Sequence, residues 1–252
     1  MADALNRYTA ISGTLAESTL AHDADGNLTQ DGTWTYIYDG ENRLQKMSKS
    51  GQTLTFTYDY LGRRIRKVVT GTGAKEVKYL WSGWKLAAEL ADDGSTVTRT
   101  FVWGPDFSDE RGKAGGAGAL LAQIGSSGIV YAVPDALGNI VGYADGNGAI
   151  VAAREFTPYG RLIAATSSSP DYPIGYSGQY TDAETGLVYY GLRYYSPRLG
   201  RFVNRDPIGG RQQPVCVCWE QPGQRLGCAW TGAMVSPSRL HDQLSYATRW
   251  SI

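Results

Sequence analysis

Three cysteines, the chain's candidate thiol ligands, stand together late in the sequence, at Cys216, Cys218 and Cys228. A Cys-x-Cys pair with His241 as its nearest further soft ligand lacks the Cys-x-x-Cys spacing that builds a tetrahedral zinc site, so no metal is expected. His22 and His241 have no Ser or Cys placed as a nucleophile partner. The glycine-rich run at 115–118 lacks the strand-to-helix setting of a phosphate loop and reads as exposed linker, so no cofactor is expected either. Asp39, Asp59 and Asp135 recur with Gly or Asn three residues on, which suits turn formation better than calcium ligation. Read locally, Asp206-Pro207 is a turn and Arg193 a structural ion-pair residue.

Those aspartates belong to a repeat. The unit Asp-x-x-(Gly/Asn)-(Arg/Asn)-apolar appears as Asp23 to Leu28, Asp39 to Leu44 and Asp135 to Ile140, and in Tyr58 to Ile65 with a second Arg before the apolar residue. Asp145 to Gly148 is a bare turn, and 156–162 holds a degenerate copy. Asp39 and Asp59 recur at a spacing of about twenty residues, the mark of a repeat architecture. The Asp side chain can bond turn backbone, and Gly or Asn accepts positive φ. Alternating stretches flank each turn. Residues 53–58 (TLTFTY) put Thr on one face and Leu, Phe and Tyr on the other, the period-2 pattern of a half-buried antiparallel strand. Residues 64–69 (RIRKVV) begin by alternating basic with apolar and then lose the pattern. Further strands are expected at 76–81, 84–90, 95–103, 119–124 and 128–133, with a turn at 92–94, an exposed loop at 105–118 and a polar linker at 167–173. No stretch carries a convincing helical apolar period. One hairpin is not stable alone, so units must join edge to edge.

Residues 176–207 differ from the repeats in being densely tyrosine-rich, with short strands expected at 187–190, 192–195 and 201–203 between Gly, Asp and Pro turns. The order Y-x-G-x-Y-x-D-x-x-T-G-L-x-Y-Y-x-x-R-Y-Y-x-P-x-x-G-R-F-x-x-R-D-P-I over 176–208 resembles the core-associated segment of bacterial Rhs/YD-repeat proteins, relatives of Tc-toxin C-component and teneurin YD shells. The resemblance implies an all-β fold: a YD-repeat spiral of antiparallel hairpins, part of a hollow β-shell, with an irregular C-terminal tail. It divides the chain into repeats at 1–166, a core segment at 167–210 and a divergent, poorly ordered tail at 211–252.

It also implies a role. Such shells hold an unfolded toxin, so the chain is expected to be a structural, encapsulating piece preceding a variable toxin. Its partners would be the rest of a shell or that cargo. The core segment of such proteins can be an aspartyl autoprotease that cuts just beyond itself. The Arg of its L-R-Y-Y motif and the Asp of its D-P-I motif match Arg193 and Asp206. Two close carboxylates sharing a proton act as base and acid, and an Arg orients the ionised one. The family's second Asp has no counterpart here, so autocleavage is expected to be lost. A surface adhesion or carbohydrate-binding module is the remaining reading, because tyrosine-rich sheets present broad faces.

After Gly210 the text loses its Asp-Gly turns and its strand pattern. Back-translated with suitable codons and read one nucleotide later, the stretch from Arg211 gives G-N-N-L-Y-A-Y-V-G-S-N-P-V-N, the family's usual continuation, and would restore the second Asp at position 227. The expectation is therefore a frame change near Arg211, with a true variable tail as the alternative. The formal net charge of zero gives no electrostatic reason to expect nucleic acid. No apolar run approaches the ~20 residues of a membrane span, and the first residues lack a secretory pattern, whereas family members are secreted or cell-surface associated. Open strand edges are expected to favour self-association.

Overall fold

The computed structural model describes residues 7–11, 18–105, 119–166, 171–207 and the short stretches 217–218 and 228–229. Two units are present, 1–207 and 208–252. In the second, Val217–Cys218 and Cys228–Ala229 pair antiparallel, a pairing that the sequence pattern does not announce. The rest of the expected tail, and the loop beyond Pro105, lie outside the described residues.

The first unit is all β and its strands follow one another without crossovers. β1 (Ala10–Ile11) pairs with β2 (Ser18–Thr19). From β3 (Ala21–His22) to β16 (Leu162–Ala165), fourteen antiparallel strands form one meander in which each strand bonds its sequence neighbours. The members used below are β4 (Leu28–Gln30), β5 (Thr35–Tyr38), β6 (Leu44–Lys49), β7 (Gln52–Tyr58), β8 (Arg64–Gly71) and β15 (Ile150–Phe156). A second sheet orders β17 (Tyr180–Thr181), β18 (Val188–Tyr189), β19 (Tyr194–Ser196) and β20 (Arg201–Phe202). Among the described residues no helix is long and apolar enough to cross a membrane.

The turns form as the repeat dictates. In the Asp59 unit the side chain accepts from the Leu61 and Arg63 amides at 3.0 and 2.9 Å, and the Asp39 and Asp135 units repeat the pattern. The residue three after each Asp is left-handed: Gly26, Gly62 and Gly138 have φ of 90°, 81° and 82°, and Asn42 has 60°. Where Thr157 replaces Asp, its hydroxyl still accepts from the Arg161 amide at 3.0 Å.

The outgoing strand of each unit carries a bulge at its second residue. Tyr58 faces Arg64 while Thr57 faces Arg66, so Ile65 is skipped; Tyr38 faces Leu44 while Ile37 faces Lys46; Pro134 faces Ile140 while Val133 faces Gly142. The first residue after the turn therefore points inward in successive units, and Leu28, Leu44 and Ile140 are buried there. The aromatic residue before a turn reaches back to the same place. Tyr38 and Tyr58 donate to the Leu28 and Leu44 carbonyls at 2.9 and 2.6 Å, and Trp81 and Trp103 donate to those of Arg64 and Leu86 at 2.7 Å. A tyrosine or tryptophan there fills the core and satisfies a carbonyl freed by the bulge.

The core segment lies on the inward face of this sheet. Leu54, Phe56, Val69, Tyr79 and Phe101 from the repeats share one buried cluster with Ile174, Tyr180, Leu187, Tyr189, Tyr194 and Val203. Thr55 is exposed between Leu54 and Phe56, the alternation read from 53–58. The segment's approach is already packed: Tyr172 stacks on Tyr143 at 4.6 Å and Asp171 accepts from Gln123 at 2.8 Å. So 171–173, expected as linker, belongs to the folded body. Trp34 from the first repeats and Phe156 and Leu162 from the last line one cavity of about 460 Å³ with the core segment, so the sheet bends around it.

Candidate functional site

β19 and β20 bring together the two residues singled out by the Rhs resemblance. Tyr195 pairs with Phe202 and Ser196 with Arg201, which leaves Arg193 and Asp206 side by side beyond the same end of the hairpin. Asn204 fixes that end: its Oδ1 accepts from the Tyr194 amide at 3.0 Å, and its Nδ2 donates to the Asn42 carbonyl at 3.1 Å. The Arg193 guanidinium meets the Asp206 carboxylate at 2.9 Å, and both side chains are partly exposed. It also lies over the Phe202 ring, 3.7 Å from its centre. Burial lowers the Arg193 pKa, and Asp206 opposes that shift. The guanidinium can orient the Asp206 carboxylate; dyad chemistry demands in addition a second acid that shares its proton.

The densest polar site lies deeper and was not foreseen. β8 does not alternate with its apolar residues inward. Arg64 and Lys67 are buried, with side-chain exposures of 1% and 2%, whereas Ile65 is exposed. The bulge at Ile65 shifts the parity, so the two cations three residues apart point the same way. Arg64 thus occupies the place that Leu28, Leu44 and Ile140 fill in other units. Its guanidinium meets Asp182 of the core segment at 2.5 Å, and Lys67 meets Asp182 at 2.7 Å and Glu184 at 2.9 Å. Lys75 reaches Glu184 from outside at 2.6 Å.

Aromatic rings enclose the guanidinium. Tyr79 and Tyr189 lie 4.6 Å from it, Tyr180 5.3 Å, Phe56 5.5 Å and Tyr194 5.7 Å. The ring faces supply negative potential where water is excluded. The Tyr189 hydroxyl accepts from the Arg64 amide at 2.7 Å. Burial alone would push the Asp182 carboxyl up, but Arg64 and Lys67 beside it hold it below the usual carboxylate range. Glu184 is likewise pushed up by burial and brought below its ordinary value, chiefly by Lys67. Nearby, Glu89 accepts from both Tyr180 and Arg99. Two cations from the repeats and two anions from the core segment thus neutralise each other inside the protein. This arrangement fastens one chain segment to another.

The only sequence signal for this site was the lapse of alternation at 64–67. The partner acids lie more than a hundred residues further on, in a stretch whose Asp182 and Glu184 read locally as turn residues.

The comparisons with known proteins agree with this architecture. The Teneurin YD-shell family model matches residues 5–211. The double-stranded DNA deaminase toxin A of Burkholderia cenocepacia is 32% identical over 200 residues, covering 70% of this chain and 14% of that protein. The tRNA nuclease WapA of Bacillus subtilis is 30% identical over 212 residues, covering 82% of this chain and 8% of the relative. Among solved structures, that of TcdB2-TccC3 superposes with a TM-score of 0.57 at 24% identity, covering 76% of this chain and 10% of the other. The chain therefore spans only a small part of the length of the proteins that it matches.

Proposed function

Because the chain belongs to the Teneurin YD-shell family, we propose that it forms the closing part of an Rhs-type toxin shell, a wall of repeats with its core segment held on the inner face. The observation that carries this reading is the buried join of Arg64 and Lys67 to Asp182 and Glu184. A cap that bounds an enclosed space needs a segment that cannot swing free, and a neutralised, water-excluded cluster provides that. In this reading the enclosed partner is a toxin polypeptide continuous with the shell. The edge of β16, whose four residues are all exposed, is where further wall or a second copy adds strands.

A chimera tests the proposal. The matched segment of the B. cenocepacia toxin protein is replaced by residues 5–207 of this chain, and the product is imaged by cryo-electron microscopy and challenged with protease. A closed hollow shell with a protected toxin region is expected. An open wall with the toxin region digested, from a chimera whose β content is intact, contradicts it.

Within the same reading, Arg193 and Asp206 are the remnant of a self-cleaving site. With its second carboxylate missing, the purified chain keeps its full-length mass over time. C-terminal trimming abolished by Asp206→Asn would overturn that.

A further inference from the structure

Two repeat turns grip the core segment through the same atoms. At the first, the Leu28 amide donates to the Val203 carbonyl at 2.7 Å, and Asn27 Oδ1 accepts from the Arg205 amide at 2.7 Å. At the second, the Ile140 amide donates to the Gly175 carbonyl at 2.9 Å, and Asn139 Oδ1 accepts from the Ser177 amide at 2.7 Å. In each case one turn binds the carbonyl of a core-segment residue and the amide two residues later. The two grips lie near the two ends of that segment.

The turn itself orients the asparagine. Asn27 Nδ2 donates to Asp23 Oδ2 at 2.8 Å and Asn139 Nδ2 to Asp135 Oδ2 at 2.7 Å. A carboxylate can only accept, so it must face the amide NH2, and the asparagine oxygen is turned outward as an acceptor. The other carboxylate oxygen is occupied by turn amides. Both asparagines are buried, at 1% and 8% exposure, where a lost partner costs most.

Among the described residues, the two units with Arg43 and Arg63 in this slot show no such pair of bonds to the core segment. Arg43 and Arg63 stand there in the next two units and bond the same Asp oxygen through Nε at 2.7 and 2.8 Å, but a guanidinium has no acceptor to offer. In the Arg63 unit the following amide, Arg64 N, is met by a tyrosine hydroxyl rather than a carbonyl. The second grip also holds a strained residue. Ser177 has φ of 55°, one of two non-glycine residues with positive φ among those described.

We infer that a repeat of the form Asp-x-x-Gly-Asn-aliphatic is a main-chain docking site. Its ligand is a three-residue stretch of polypeptide backbone, recognised by one carbonyl and the amide two residues on, whatever the side chains. Asn or Arg in the fifth position then decides whether a repeat holds a segment by this carbonyl-and-amide pair. This holds whether or not the chain closes a toxin shell.

Asn27→Arg and Asn139→Arg test it, because Arg43 and Arg63 fill the same position of the turn in sister units. The readout is residue-resolved amide hydrogen exchange on the full chain. Asn139→Arg is expected to speed exchange at Ser177 at least about tenfold, with Arg205 and Gly138 unchanged. Asn27→Arg is expected to do the same at Arg205, with Ser177 and Gly26 unchanged. Asn27→Ala and Asn139→Ala should give the same local losses. Unchanged exchange at the partner amide would overturn the inference. So would an equal loss of protection across the whole sheet in both the Arg and the Ala variants, since the asparagine would then serve only the fold.

Discussion

Replacing Arg64 by leucine puts in its slot the kind of side chain that other units hold there, where Leu28, Leu44 and Ile140 are buried, and removes the guanidinium with its charge, its bonds and its ring contacts. The guanidinium and Asp182 are in contact at 2.5 Å, each 1% exposed. Two unit charges about 4 Å apart interact by roughly 4 kcal/mol at an effective dielectric near 20. Removing one partner of a buried pair costs about 3–5 kcal/mol, here because the cluster is left with one charge too many of the other sign. Arg64→Leu and Asp182→Asn should therefore each destabilise by about 3–5 kcal/mol, a fall in melting temperature of roughly 6–20 °C for a body of this size. The double variant leaves Lys67 facing Glu184, one cation and one anion. Its cost should fall short of the sum of the singles by about 2–3 kcal/mol. Urea unfolding followed by tryptophan fluorescence, with equal slopes for all four proteins, measures the cycle. Costs that add to within about 0.5 kcal/mol would show that Arg64 and Asp182 are not coupled.

Other consequences can be checked on the same preparation. Asp182 and Glu184 are held below their ordinary values of 3.8 and 4.5. Their contribution is thus present above those values and lost as pH falls through the lower folded-state values, so urea midpoints should drop steeply below about pH 4 and flatten between pH 5 and 8. In Asp182→Asn that acid limb should be shallower. Tyr58→Phe removes the donor to the Leu44 carbonyl at 2.6 Å and should cost about 1–3 kcal/mol, whereas Tyr60→Phe, at a residue 90% exposed, should leave the urea midpoint unchanged. At Gly26 a Cβ would meet nothing within 4 Å, so Gly26→Ala tests the left-handed backbone alone. It should cost about 1–2 kcal/mol, while Gly26→Asn, copying Asn42 in the same place, should cost less by calorimetry.

The repeat turns were legible because their chemistry is local: Asp39, Asp59 and Asp135 bond amides two and four residues on. The face of β7 was legible because Leu54 and Phe56 alternate with threonines. The inward turn of Arg64 and Lys67 was not, because a bulge at Ile65 changes the parity and the compensating acids lie far along the chain. Asn27 and Asn139 looked like turn residues for a related reason. Their second role depends on a backbone that only the fold delivers. Arg193 and Asp206 were named through a family resemblance, and their contact at 2.9 Å follows from the β19–β20 register, which short tyrosine-rich strands do not specify by periodicity.

The repeats and the core segment form one body, joined without need of the covalent link between them. A specific protease site placed between Ser168 and Ser169 allows that link to be cut in the folded protein. The two pieces should then co-elute as a one-to-one complex in native size-exclusion chromatography and part only in denaturant. Separation of the pieces in native buffer, each eluting alone, would mean that the covalent link is what holds them together.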